Sequence, residues 1–259
     1  YSLKGNTFRD AKISLLILAL LFIFIIVFYC VASMFTSVGY EAFKNAEQAA
    51  LEAAARSKRL TIVLDAGHGG EDPGAVANGV AEKNLNLAVA KYLRDFLLLG
   101  GYDVVMTRED DTLLYGAGES GRKKYYDLRN RLKIANDAGN CIFVSIHMNK
   151  FEIQKYSGLQ TFYSENHARS KQLAECVQQA SKLLMPQNNR RIKPENHTIF
   201  ILENIEVPAI LVECGFISNP EEAALLSTEV YRRKLAFTIY CGIYDFLGDE
   251  AVENELCVQ

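Results

Sequence analysis

Two histidines, His68 and His147, and three glutamates, Glu71, Glu82 and Glu213, stand where such side chains can hold a metal ion and move a proton. His68 lies in LDAGHGG, directly after an apolar run, in a turn where Gly67, Gly69 and Gly70 let the backbone bend sharply. His147 closes the run CIFVSIH and Glu213 closes PAILVE, so three strand ends deliver two imidazoles and a carboxylate to one edge. Neighbouring strands lie about 4.8 Å apart, which allows the three tips to converge on one ion. Two histidines and one carboxylate are a common zinc set, whose open fourth position holds a water with its pKa lowered to about 7. A carboxylate outside that set can accept the proton of the water and return it to a departing amine.

Spacing alone leaves the ligand carboxylate open. Glu82 begins the amphipathic pattern EKNLNLAVAKYLRDFLL, whereas Glu71 forms an HxxE pair with His68, an order that with His147 also suits a zinc carboxypeptidase. Each residue has a plainer reading too. A strand-end histidine is often only a hydrogen-bonded structural residue, Glu82 could serve the helix dipole at about 0.3–1 kcal/mol, and Glu213 could pair with an arginine. His167 and His197 sit in polar stretches and are not expected to be ligands. The glycine turn GHGGEDPG lacks the GxGxxG spacing of a nucleotide-binding loop.

The elements that position these groups alternate in kind. LTIVLD, CIFVSIH and PAILVE are short, β-branched runs of the sort buried in parallel sheets, and GYDVVMT and GLQTFYS add two glycine-led strands. Between them, EKNLNLAVAKYLRDFLL, DLRNRLKIANDAG, ARSKQLAECVQQASKLL and YRRKLAFTIYCGIYDFL carry apolar residues at three- and four-residue steps. The pattern predicts an α/β fold, a mostly parallel twisted sheet with helices on both faces and ligands at the carboxyl ends of its strands. Residues 112–126, TLLYGAGESGRKKYY, form a polar surface insertion.

The chain has 259 residues, 49% apolar and 23% charged, the balance of a folded protein. Its 28 Lys plus Arg against 31 Asp plus Glu give a net charge of −3, which argues against a nucleic-acid partner. Residues 13–32, ISLLILALLFIFIIVFYCVA, are long enough to span a bilayer and too long for the apolar region of a cleaved signal peptide. Lys4, Arg9 and Lys12 precede this run and no basic residue follows until Lys44, so the amino terminus is expected inside the cell and the rest of the chain outside. The expected order is a cytoplasmic segment 1–12, a single transmembrane helix 13–32, an Ala- and Glu-rich helical linker 33–58, a folded domain 59–248 and a tail 249–259. The chain opens at Tyr1 rather than Met, so residues upstream are expected. Of six cysteines Cys30 falls in the apolar run, and the odd number left cannot all pair. No CxxC pair supports a cysteine zinc site, and Cys141 and Cys214 read as small core residues.

From residue 60 to 247 the motifs IVLDAGHGGEDPGAV, EKNLNLAVA, MTRED, LRNRLKIAN, FVSIHMN, GLQTFYS and VPAILVECGFISNPEE resemble the zinc-dependent N-acetylmuramoyl-L-alanine amidases, which cut peptidoglycan between the lactyl group of muramic acid and the stem peptide. The resemblance implies zinc ligands at His68, Glu82 and His147 and a catalytic glutamate at Glu213, which selects Glu82 over Glu71. It also implies substrate contacts at Asn149, Arg190 and Lys193, of which Arg190 and Lys193 would otherwise read as a solvated basic patch. The insertion, NRRIKPENHTIFIL and the amino-terminal run are most similar to the germination-specific branch, which prepares muramic lactam in the spore cortex. Lys150 departs from the small residue frequent after SIHMN. The resemblance implies peptidoglycan as substrate, an activating protein partner and a membrane-anchored enzyme facing outward. A wall-binding protein that kept the fold without catalysis is the alternative in another class.

Overall fold

Strands β1 (Thr61–Ala66), β5 (Cys141–Asn149) and β8 (Ala209–Phe216) form the centre of a six-stranded sheet because their β-branched runs are apolar on both faces. The sheet order is β4-β1-β5-β8-β6-β7, with β4 at Asp103–Met106, β6 at Gln160–Tyr163 and β7 at Lys193–Pro194. A separate two-stranded ribbon pairs β2 (Val76–Ala77) with β3 (Val80–Ala81). The computed structural model describes residues 60–116 and 118–256, with residues 18, 20–29, 34, 41, 44, 45 and 48 of the amino-terminal part.

Successive side chains along a strand point to opposite faces, so each face has its own core. On one, Ile62, Leu64, Val144, Ile146, Ile210 and Val212 pack under helices α1 (Glu82–Leu99), α3 (Ser170–Ala180) and α6 (Glu229–Leu256). On the other, Val63, Phe143 and Leu211 meet Ala135 of α2 (Lys123–Ala138) and Ile201 and Leu202 of the short α4 (Phe200–Asn204). A seven-residue α5 (Pro220–Leu226) follows β8, its start capped by the Asn219 side chain.

Strands β4, β1, β5 and β8 run parallel, but β6 runs antiparallel to β8. No helix separates β5 from β6, so the chain never returns to the start of the sheet and the next strand must run backwards. Helix α2 begins at Lys123, inside the expected insertion, and α6 continues through 249–256, the stretch expected as a tail.

The chain divides between Lys58 and Arg59. The expected cytoplasmic segment 1–12 lies outside the described residues, as do parts of the expected spanning helix 13–32 and most of the linker 33–58. Residues 20–29 are helical, and their apolar side chains from Leu20 to Tyr29 are exposed. Among the described residues no helix is long and apolar enough to cross a membrane.

Candidate metal centre and its cleft

At the carboxyl ends of β1 and β5 the His147 ring lies against the chain at Gly67, where there is no side chain to block it. A Cβ at Gly67 would lie 2.1 Å from Nε2 of His147. Beyond it His68 adopts a left-handed φ of 62°, held by several donors on the carbonyls around it. Arg131 donates to Ala66 O at 2.7 Å and His68 O at 2.8 Å. Arg108 donates to Ala66 O at 2.8 Å and Gly67 O at 3.0 Å, and Asn86 Nδ2 adds a bond to Gly67 O.

The ribbon β2–β3 turns the chain back so that Glu82, the first residue of α1, enters the same space. The residue is 4% exposed, and its side chain serves other segments rather than its own helix end. Oε2 accepts from Ala75 N at 2.8 Å and Oε1 from Met148 N at 3.1 Å. Gly74, at φ 63°, leaves room for it, since a Cβ there would stand 2.6 Å from Oε2.

His68 Nε2 is 3.4 Å from Glu82 Oε1, and His147 Nδ1 is 2.9 Å from the same oxygen. One ligand atom each from His68, Glu82 and His147 lies within 4.8 Å of the others, a geometry that could hold a metal ion. Borderline nitrogen donors with one carboxylate oxygen fit zinc. Burial opposes charge on Glu82, but hydrogen bonds to His147 and His68 win and keep its carboxyl well below the usual range. Burial likewise opposes charge on His68, which Glu82 and Asp72 reverse to raise its pKa. Asp72 Oδ2 stands 2.9 Å from His68 Nδ1, the outer carboxylate that fixes the ring and leaves Nε2 for the centre.

Glu213 faces His147 directly across the β5–β8 register. Its Oε2 is buried with no hydrogen-bond partner among the described residues. Burial pushes the carboxyl up to about 7 against the pull of His147. A buried carboxylate oxygen with nothing to bond is expensive in a static core and useful where a water or amine arrives.

The alternative ligand order fails to assemble. Glu71 is exposed and pairs with Lys123 at 2.9 Å, outside the group. His197 faces Glu203 at 3.2 Å and His167 accepts from Arg169 N at 3.2 Å, both away from the centre. The three expected substrate residues do not line the cleft at the centre. Asn149 ends β5 and receives Ile217 N on its carbonyl at 2.9 Å. Arg190 stacks 4.3 Å over the Phe216 ring and donates to Ser157 O, and Lys193 is exposed on β7.

A family model described as N-acetylmuramoyl-L-alanine amidase matches residues 62–245. The chain belongs to this family. It is an N-acetylmuramoyl-L-alanine amidase, a peptidoglycan hydrolase. The germination-specific N-acetylmuramoyl-L-alanine amidase of Bacillus subtilis (strain 168) is 40% identical over 191 residues, 73% of this chain and 80% of that protein. The CwlD amidase from Clostridioides difficile, solved in complex with the GerS lipoprotein, is 42% identical with a TM-score of 0.70 over 73% of this chain and 99% of that one. An N-acetylmuramoyl-L-alanine amidase from Clostridium difficile 630 is 32% identical with a TM-score of 0.64, covering 73% and 97% of the two chains.

Beside the candidate metal centre the amidase carries a buried ionic network that sequence reasoning did not find. Arg131 Nη1 donates to Asp65 at 2.7 Å and Nε to Asp127 at 2.8 Å, while Ser145 Oγ donates to the other Asp65 oxygen at 2.6 Å. Burial alone would neutralise Asp65 and Arg131, yet each keeps the other charged, lowering the pKa of Asp65 and raising that of Arg131. The network ties β1, β5 and α2 to the carbonyl of His68. Asp72, four residues after His68, was the one outer partner with a local signal in the sequence.

Proposed function

We propose that this amidase is zinc-dependent, with His68, Glu82 and His147 as ligands and Glu213 as general base, and that it acts on spore-cortex peptidoglycan outside the cytoplasmic membrane. The observation that carries the reading is the placement of the unpartnered Glu213 carboxylate beside three ligand atoms within 4.8 Å of one another. Zinc held there would polarise the lactyl amide carbonyl and acidify a water to a pKa of about 7. Glu213, whose buried Oε2 has no hydrogen-bond partner among the described residues, takes the proton of the water and passes it to the departing L-alanine nitrogen. Asp72 keeps the His68 ring turned so that Nε2 stays on the centre.

The likeness to the germination-specific relative supports the cortex as substrate and muramic lactam formation as outcome. The structure of CwlD with a lipoprotein supports an activating protein partner here too. Residues 13–32 supply the single-pass anchor by their length and apolar character, leaving residues 59–248 as the catalytic domain outside the cell. Asn149, Arg190 and Lys193 are the proposed contacts for the glycan.

Mass spectrometry of cortex and vegetative peptidoglycan after digestion tests this. The expected products are free lactyl groups and peptides beginning with L-alanine, lost on chelation and restored by zinc. Shortened stem peptides still joined to the lactyl group, or products indifferent to chelation, contradict it.

A further inference from the structure

The metal centre opens into a cleft of about 280 Å³, between the sheet face of Phe143 and Leu211, helix α2 and the segment leading into α4. The opposite face of the sheet is filled by core under α1, α3 and α6. The cleft lies near the lower limit of small-ligand pockets, about 300–1,000 Å³. A glycan strand continues in both directions and must cross an open surface. The stem peptide is a branch, and a branch can enter a pocket.

Most of the wall is apolar, including Leu128, Phe143, Phe200 and Leu211. Its charged groups are almost all committed. Asp65 and Asp127 are paired with Arg131, Asp72 is on His68, and Glu213 faces the metal centre. Lys124 is the exception: it is exposed, lines the cleft, and makes no hydrogen bond or ion pair among the described residues, although its charge acts at longer range on Asp72. Its neighbour Lys123 is held by Glu71. The wall thus presents apolar surface near the reacting bond and one ammonium with no hydrogen-bond or ion-pair partner among the described residues.

We propose that the cleft receives the first two stem residues and that Lys124 reads the free α-carboxylate of the second. That residue is a glutamate joined to the chain through its side-chain carboxyl, so its methylenes suit the apolar wall and its α-carboxylate suits an ammonium. The L-alanine methyl lies against the same wall, with its nitrogen towards Glu213. Lys124 is therefore a specificity-determining residue, and the inference rests on the proposed roles of zinc and Glu213.

The test uses the 259-residue chain in detergent with zinc, on two peptidoglycans whose second stem residue carries either a free α-carboxylate or its amide. New amino termini are counted over time. The wild type is expected to favour the free carboxylate about fivefold in kcat/KM, the value of one partly screened charge pair. Lys124→Met should bring the ratio to about one through KM, with zinc content unaltered, while Lys124→Arg and Lys123→Met keep the preference. Equal hydrolysis of both polymers by the wild type, or a preference that survives in Lys124→Met, overturns the inference and leaves the amidase reading standing. Cleavage of neither polymer by the wild type overturns both.

Discussion

His147 Nδ1 and Glu82 Oε1 stand 2.9 Å apart although 65 residues separate them in the chain. One sits at the end of a core strand, the other on the first residue of a helix from the opposite face of the sheet. Their meeting predicts that Glu82→Ala loses bound zinc whereas Glu71→Ala, which removes an exposed carboxylate paired to Lys123, keeps it. Elemental analysis of the two purified variants decides between them, and the reverse result would restore the other ligand order.

Gly67 gives a second prediction. A methyl group there would collide with the His147 ring at 2.1 Å, so the ring would have to shift from its place beside Glu82. Gly67→Ala should weaken zinc binding about tenfold or more, the scale on which disturbed ligand orientation acts. Circular dichroism should stay close to the wild type. Titration with a competing chelator measures the loss.

The buried network predicts a stability cost instead. Arg131→Met strands Asp65 and Asp127 without their cation in the core, a change worth about 3–5 kcal/mol when one partner of a buried pair is removed. The same substitution frees the carbonyl of His68. Urea denaturation should show the drop, and a loss below about 1 kcal/mol would mean that the network is better solvated than its burial implies.

Strand ends, glycine turns and amphipathic periodicity were enough to place His68, His147 and Glu213 on one edge, because strand direction and burial are written locally in apolar runs. Glu82 could not be separated from Glu71 by spacing, since the choice depends on how residues 72–81 fold back, and that rests on Gly74 and a ribbon of two-residue strands. Asp65 and Arg131 were illegible for a related reason: they lie 66 residues apart, and nothing local marks either as buried. The direction of β6 followed from a missing crossover helix, which the sequence suggested only by what it lacked.

The raised pKa of Glu213 fixes the sign of a pH effect in the zinc-free protein. The group titrates near 4.5 when unfolded and about 7 when folded, so below 4.5 both states are protonated and the group is neutral to stability. Between those values the folded state holds a proton that the unfolded state has released, and stability falls as pH rises; above about 7 the penalty is complete. Glu213→Gln should therefore raise the melting temperature in chelator at pH 8, with the gain closing towards pH 4.5. A gain independent of pH would contradict this.

The most direct measurement pairs zinc content with turnover in Glu213→Gln. The neutral amide keeps the shape of the side chain but cannot accept a proton, so the variant should bind zinc as the wild type does and release new amino termini from peptidoglycan about 10²–10⁴-fold more slowly. Zinc bound with turnover unchanged would contradict the proposed role of Glu213 and leave the amide cleavage without its base.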